Sequence, residues 1–553
     1  MKRVEKPLRR ELVFGFVAPL GVDRDIAEKA LKNALWGAPK GGGPRYVIEK
    51  IKVSEALEAF ADREALREAV RDHKDLTRKR LLMNAGDDMR RDWATEIDVV
   101  RGDAGAIAAI VGIQNRREDL NKAKGVQPRE RSNSQTQQLS QIPLDGVCYL
   151  VDSLKHPDEL DRLRSVYGPA FVSIGIYAPK AARREKLTFD GATEATDEVL
   201  EELLTRDENA GDKLGQKVAD AFYITDFIVD VIQSPKKVQA DFRRLVELLF
   251  GNIQLTPSKD ELGMYHARAA QARSGSLARQ IGAAIVRDDG SVVATGTNEA
   301  AKPGGGQYWP DDDEKYKGRD KVYQEHDTSD EYRSEVMADI LDKLDAFGAL
   351  ARQYSKSVMP AQERLRVLYS ADSAPLRKSK LRDNIDRIRA VHAEGAALLD
   401  CARHGVGCIG TTMYTTTFPC HECARHIVVA GIKKVVYLEP YPKSDTQKLY
   451  DDSIMVDPTS STDRRWRIPF CTFVGVAPPR FLEFFFVAGR ERKDAEGTPL
   501  TFPLGPESAP RLPYYTPSPE AVTTAEFRDL PEFKTFLLNH HFAPQSQKEA
   551  DHG

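Results

Sequence analysis

No apolar run of about 18 residues occurs anywhere in the chain, and residues 1–10, rich in Lys and Arg, lead into no apolar leader segment. Neither a membrane-spanning helix nor an export signal is therefore expected. Cysteine is scarce as well, with 6 in 553 residues. Cys148, Cys401, Cys408 and Cys471 are scattered without the regular spacing of a disulfide framework, so a reducing, cytoplasmic setting is expected. Nor does one sign of charge dominate, since 81 Lys and Arg against 84 Asp and Glu leave a formal charge of −3. That balance gives no general electrostatic footprint for a polyanion, although a local basic groove stays open. No internal repeat is evident, and the length suffices for two or three domains with full cores.

What the chain does hold is a set of metal donors at telling intervals. His392, Ala393 and Glu394 are followed by Pro419, Cys420, His421, Glu422 and Cys423. Leu381 to Arg403 reads as a helix, with Ile385, Ile388, Val391, Leu398 and Leu399 near helical spacing and Gly405 and Gly407 beyond its end. Thr411 to Phe418, mostly β-branched and aromatic, reads as a strand. Pro419 suits the start of a second helix from Cys420 to Ala430, where its missing amide costs little. Cys420 and Cys423 lie three apart on that helix, so both sulfurs face one point. With His392 they make three protein ligands and leave the fourth zinc position to water, as a catalytic Zn2+ requires and a closed structural site does not. Glu394, two residues past the histidine, is the natural proton carrier, and a helix N-terminus behind the sulfurs favours the thiolates. For this to be two unrelated buried cysteines and a helical histidine, or a structural zinc whose fourth ligand lies elsewhere, the proline, the glutamate and both spacings would have to coincide. H-x-E with P-C-x-x-C is the signature of the zinc nucleobase deaminases.

The amino-terminal half has a different grammar. Residues 11–23 read as a buried strand turning through Gly15 to Gly21 into a helix from Arg24 to Trp36, where an α/β nucleotide-binding domain puts its phosphate loop. The loop lacks the lysine and the Ser/Thr of a P-loop, and its glycines are one residue too far apart. It reads either as a degenerate P-loop, with Gly15 and Gly21 toward a nucleotide, or as an ordinary strand-to-helix turn. A strand at Tyr46–Val53, a charged helix from Ser54 to Arg78, and a polar stretch from Arg116 to Gln141, expected as a loop or lid, come next. Strands at Gly146–Asp152, Phe171–Tyr177 and Ala221–Val229 alternate with helices at Pro157–Tyr167 and 234–250. Such alternation predicts a parallel sheet covered on both faces.

The second domain is expected to begin with a helix from Thr256 to Ala278, followed by a hairpin, 281–287 and 291–297, turning at Asp288–Gly290. An insertion of about 299–390 opens with Lys302–Trp309, which reads as a rim over the pocket or as a plain solvent loop, and holds charged helices near 332–346 and 361–369. The order helix, hairpin, insertion, His392 helix, strand, cysteine helix, strand (434–438) predicts an α/β/α sandwich. The expected domains are thus 1–250, 251–490 and a proline-punctuated, partly disordered extension at 491–553.

His392–Glu394 and Tyr414–Tyr437 closely resemble the deoxycytidylate deaminases. A wider pattern, Thr256–Glu261, Arg273–Ala284, Thr295–Glu299, Gly304–Trp309 and Glu439–Ser444, is similar to the bacterial two-domain deoxycytidylate deaminases of antiphage defence. Asp152–Pro157 and Tyr177–Pro179 are like that family's nucleotide-kinase-like, P-loop-type first domain, and the resemblance spans roughly residues 11–490. It implies zinc-dependent deamination of dCTP and dCMP, which depletes the pool a phage needs. It also implies a homo-oligomer controlled by a regulatory nucleotide or an inhibitory RNA. By matching position Asn298 would contact substrate, or else it only holds the hairpin end. Lys443 is the first candidate for the phosphate, ahead of Arg273, Arg279 and Lys302. Two rival functions stay open: deamination of tRNA or single-stranded DNA, and a regulatory scaffold with an idle site.

Overall fold

In a computed structural model of the chain, the described residues are 10–536 without 38–42, 56–75, 131–135, 190–196, 278, 313–327, 372–373, 377–378, 380–388, 440–444, 459–465, 487–490, 503, 507, 512–516, 528–531 and 534. They divide into two compact units, 1–261 together with 474–553, and 262–473. The boundary expected near 250 thus lies at 261, and the second unit stops at 473 where the sequence suggested 490. None of the described helices is long and apolar enough to cross a membrane.

The first unit runs β1 (Leu12–Val17), α1 (Arg24–Trp36), β2 (Val47–Lys52), α2 (Leu76–Glu96), α3 (Ala104–Ala123), β3 (Val147–Leu154), α4 (Pro157–Tyr167), β4 (Phe171–Tyr177), α5 (Lys180–Phe189), α6 (Asp197–Glu208), α7 (Val218–Tyr223), β5 (Phe227–Asp230) and α8 (Pro235–Leu249). The sheet order is β2-β3-β1-β4-β5, all parallel, with Gly475–Val476 added antiparallel on β5. β1 and β4 are buried at every position, which is why they read as unbroken apolar runs rather than alternating ones. Local signals set the helix ends. The Asp23 carboxylate caps α1 and left-handed Gly37 closes it, while His156 and Glu159 form a reciprocal cap around Pro157 at the start of α4.

Several expectations are corrected here. Gly15 belongs to no loop: it lies inside β1, paired with Val151 on one side and Ser173 on the other. A Cβ there would come within 2.7 Å of Leu154 and 2.9 Å of Phe171, so its bareness serves sheet packing. The polar stretch from Arg116 is not a lid at its start, because α3 continues to Ala123 and buries Arg117 and Asn121. The last strand begins only at Phe227, since the segment before it forms α7 and the Asp226 carboxylate turns to the Ser173 amide at 2.7 Å. Of the charged helix expected at Ser54–Arg78, residues 56–75 lie outside the described residues.

The carboxyl-terminal extension is also more than a loose tail. A helix at Pro519–Glu526 places the Glu526 carboxylate in a two-pronged pair with Arg117, at 2.7 and 2.9 Å, and Glu11 completes the cluster at 2.8 Å. Arg117 and Glu526 side chains are both fully buried. Phe533 and Phe536, also fully buried, close on the Trp93 ring with centroids 4.9 and 5.4 Å away. Arg117→Ala would strand two carboxylates away from water, a loss of about 3 to 5 kcal/mol by precedent for broken buried pairs. In a denaturant titration that should appear as a lowered midpoint, and a shift worth under about 1 kcal/mol would contradict the network's importance.

The second unit runs α9 (Lys259–Ala272), β6 (Gly282–Val286), β7 (Val292–Thr297), α10 (Thr328–Ala346), α11 (Ala393–Arg403), β8 (Thr412–Thr415), α12 (His421–Val429), β9 (Lys434–Tyr437), β10 (Ile454–Val456) and β11 (Ile468–Thr472). Its sheet order is β10-β11-β9-β8-β6-β7, with β6 antiparallel to both of its neighbours. Two glycines show how the layers stack. Gly296 of β7 faces the Ala393 and Ala397 backbone of α11, whereas Gly282 of β6 faces Ala267 and Gln271 of α9. Gly296 pairs with Ala283, the residue after Gly282, so these contacts lie on opposite faces of the sheet and helices cover both. The core between sheet and α11–α12 gathers Ile285, Met413, Ile427, Val435 and Phe470. In the insertion, Met337, Leu341, Leu368 and Tyr369 form a small core of their own.

Candidate metal centre

Of the helix expected over Leu381–Arg403, residues 381–388 lie outside the described residues, Ala390–Val391 pair antiparallel with Glu299–Ala300, and α11 starts after His392. His392 therefore occupies the N-cap position of α11, and Cys420 that of α12, with Cys423 in the first turn. Two helix N-termini, each with its positive end and unpaired amides, converge on one point. That short strand pairing and the turn after β8 hold the two ends together.

His392 Nδ1 lies 3.2 Å from Cys420 Sγ and 3.4 Å from Cys423 Sγ, and the three donor atoms all fall within 4.8 Å of one another. Zn–N bonds of about 2.0–2.1 Å and Zn–S bonds of about 2.3 Å, set at tetrahedral angles, separate N from S by about 3.5 Å. The donor set thus fits zinc in kind and in spacing, and zinc is the cofactor of this centre. Among the described residues it is the one such cluster of His, Cys, Asp or Glu.

Glu394 is 2 % exposed, with Oε2 3.5 Å from Cys423 Sγ and Oε1 3.4 Å from the Thr415 hydroxyl. Burial, reinforced by the nearby Cys420 sulfur, holds its carboxyl above the ordinary carboxylate range. Cys420 is drawn down to about 4, first by its hydrogen bond from Cys423 and then by His392. Cys423 is pushed up by the same bond. The His392 ring is held above its usual value chiefly through its bond to Cys420.

Asn298 is buried and gives both ends of its amide to backbone, Oδ1 accepting from Ile281 N at 2.7 Å and Nδ2 donating to Arg279 O at 2.6 Å. These two bonds tie Arg279 and Ile281 to the end of the hairpin. Lys443 lies outside the described residues. Gly21, left-handed with φ 86°, borders a cavity of about 590 Å³ at the carboxyl ends of β1, β2 and β3, shared with Arg24, Lys50, Lys52 and Lys155. The Lys302–Trp309 segment lines a cavity of about 1020 Å³ bounded by α9, β7, Val391 beside His392 and the Leu399–Arg403 side of α11, and its Trp309 ring lies 3.9 Å under the Arg273 guanidinium.

Sequence reasoning missed Thr415, Thr417 and Glu439. Thr417 Oγ1 donates to Glu439 Oε2 at 2.9 Å, and Arg279 Nη2 meets the same oxygen at 2.6 Å. The threonines from 415 to 417 and Glu439 lie in the stretches that carry the resemblance, but the residue pattern itself gave the threonines a strand signal and the carboxylate none.

Residues 257–439 match the profile of the cytidine and deoxycytidylate deaminase zinc-binding region. The deoxycytidylate deaminase of Enterobacteria phage T2 is 50% identical over 54 residues, which are 10% of this chain and 29% of that protein. ComE operon protein 2 of Bacillus subtilis (strain 168) is 45% identical over 53 residues, 10% of this chain and 28% of that protein. The chain thus spans under a third of the length of these relatives. Among solved structures, that of the dCMP deaminase from the cyanophage S-TIM5 with dCMP and dUMP aligns at 18% identity and a TM-score of 0.20, over 36% of this chain and 93% of that one.

Proposed function

We propose that this chain is a zinc-dependent hydrolytic deaminase of deoxycytidine nucleotides, dCMP, dCTP or both, with His392, Cys420 and Cys423 as metal ligands and Glu394 as the proton carrier. One observation carries the reading: a three-donor zinc set, one short of tetrahedral, with a buried carboxylate against it. Zinc, when bound, supplies a Lewis acid that makes a water nucleophilic near neutral pH. Glu394 takes the proton of that water and delivers it to N3 of the cytosine ring, and water oxygen is added at C4. A second transfer through the same carboxylate lets the C4 amine leave as ammonia, so that substrate and water balance deoxyuridine nucleotide and ammonia. Thr415 orients the carboxylate, and its position against the donor set suits a group that must both accept and return a proton.

In this reading deamination drains the dCTP pool on which an invading phage depends, and the active form is a cytoplasmic homo-oligomer held in check by a nucleotide or an RNA. The cavity beside Gly21, at the carboxyl ends of parallel strands where α/β sheets take ligands, is where the first unit would receive a regulatory nucleotide. The substrate class is tested by incubating the full chain with dCMP, dCTP, CTP, tRNA and single-stranded DNA, with and without a zinc chelator. Uracil should appear in the free deoxynucleotides alone and vanish with chelator. Uracil only in the polynucleotides would replace this reading with a nucleic-acid editor, and no uracil anywhere would leave a regulatory scaffold.

A further inference from the structure

The turn between β1 and α1 gives its amides to carboxylates of the chain itself. Asp23 accepts from the Asp25 amide at 3.1 Å and caps α1. The Leu20 amide donates to Asp207 Oδ2 at 2.6 Å, and the other oxygen, Oδ1, accepts from Lys155 Nζ at 2.8 Å. Lys155 also donates to Ala18 O at 2.8 Å, so one ammonium ties the start of the turn to Asp207. A backbone amide in such a turn and a lysine beside it are the two kinds of donor that hold phosphate oxygens in α/β domains. Here a carboxylate holds both. Asp207 reaches them from the last turn of α6, the end of a helix at which a negative charge is disfavoured. Its side chain is 1% exposed, so the two donors, and neither water nor its own helix, keep it in place. Leu20, Lys155 and Asp207 all line the cavity of about 590 Å³ at the carboxyl ends of β1, β2 and β3, a size that takes a small-molecule ligand. Among the described residues its wall carries eight Lys and Arg and five Asp and Glu, although the whole chain has an acidic excess. The wall therefore favours an anion.

Resting on the reading that the first unit receives a regulatory nucleotide, we propose that the Leu20 amide and Lys155 form the phosphate subsite of this cavity and that Asp207 is its internal competitor. No vacant donor is needed, because two phosphate oxygens take the places of the two carboxylate oxygens. One anion replaces another on the same amide and ammonium, so the exchange leaves Lys155 paired. The displaced carboxylate turns away at the end of α6, which links ligand binding to the seating of that helix. The apparent Kd is then the intrinsic Kd divided by the fraction of chains in which Asp207 has let go. Asp207 thereby sets the ligand concentration at which the unit responds.

The test titrates inorganic pyrophosphate, ATP and adenosine into the full-length zinc-loaded chain by calorimetry, with a melting curve for every variant. Wild type should bind pyrophosphate and ATP but not adenosine, which has no phosphate. Asp207→Asn, which keeps the shape and gives up the charge, should tighten pyrophosphate about 10- to 100-fold, the range for losing one charge-assisted competitor. Asp25→Asn removes an equal charge from an exposed place on the same wall and should change affinity less than about 3-fold. Lys155→Gln should abolish pyrophosphate binding with or without Asp207→Asn. Hydrogen exchange on the wild type gives a readout that needs no substitution: pyrophosphate should speed exchange in the last turn of α6. If Asp207→Asn binds pyrophosphate no tighter than Asp25→Asn does, or if α6 exchanges at the same rate with pyrophosphate bound, the competition is wrong, while ATP binding by the wild type would keep the nucleotide reading. If neither wild type nor Asp207→Asn binds pyrophosphate or ATP, that reading falls and the proposal with it.

Discussion

Glu394→Gln should lose at least about 1000-fold in the rate of ammonia release from dCMP or dCTP, while the chain keeps its fold and a full equivalent of zinc. General acid–base groups typically contribute about 10²–10⁴-fold, and here a single carboxylate carries protons both to the ring and to the leaving amine. The amide keeps the shape of the side chain and its contact with the Thr415 hydroxyl, and it adds no buried charge, so a loss of activity could not be blamed on collapse. Metal analysis and a melting curve on the same preparation separate the two. A variant with more than a tenth of wild-type turnover would show that Glu394 is only a buried helix-start carboxylate.

Cys420→Ser should remove both zinc and activity. Cys420 closes the gap between two helix N-termini, and the weaker hydroxyl ligand cannot replace the thiolate that a three-residue site depends on. Metal bound to the folded state alone also stabilises it, by about 4 kcal/mol when free zinc stands a thousandfold above its Kd. The variant should therefore hold less than about a tenth of an equivalent of zinc and should melt at the temperature of the chelator-treated wild type. Cys471→Ser, at a cysteine outside the cluster, is the control and should keep its metal. Zinc content near one in Cys420→Ser would mean that the metal sits elsewhere.

How far these features could be read from residue order depends on how local their causes are. α1, α4 and β4 stand at the residues the sequence suggested, because Asp23, Gly37, His156 and Pro157 mark ends within one turn and Phe171–Tyr177 is apolar throughout. The zinc donors were legible for the same reason, since the intervals between His392, Glu394, Cys420 and Cys423 are a property of the sequence itself. Gly15 was not, because what it must avoid, Leu154 and Phe171, is supplied by strands about 140 and 156 residues away in the chain, a matter of tertiary context over local pattern. The extension shows the same limit: its prolines suggested a partly disordered segment, and nothing local announced that Glu526, Phe533 and Phe536 are buried by Arg117 and Trp93 from far away in the sequence. Asn298 and Glu439 show the limit at the site itself. Each is an ordinary polar residue until Arg279 is known to be braced by one and paired with the other.

Deamination by water leaves a mark that no other use of this centre would. With the zinc-loaded full chain turning over dCMP or dCTP in ¹⁸O-enriched water, the account predicts one labelled oxygen in each uracil base formed, one ammonia per base, and neither once zinc is stripped. Product without label, or no ammonia from either nucleotide with zinc in place, would contradict it.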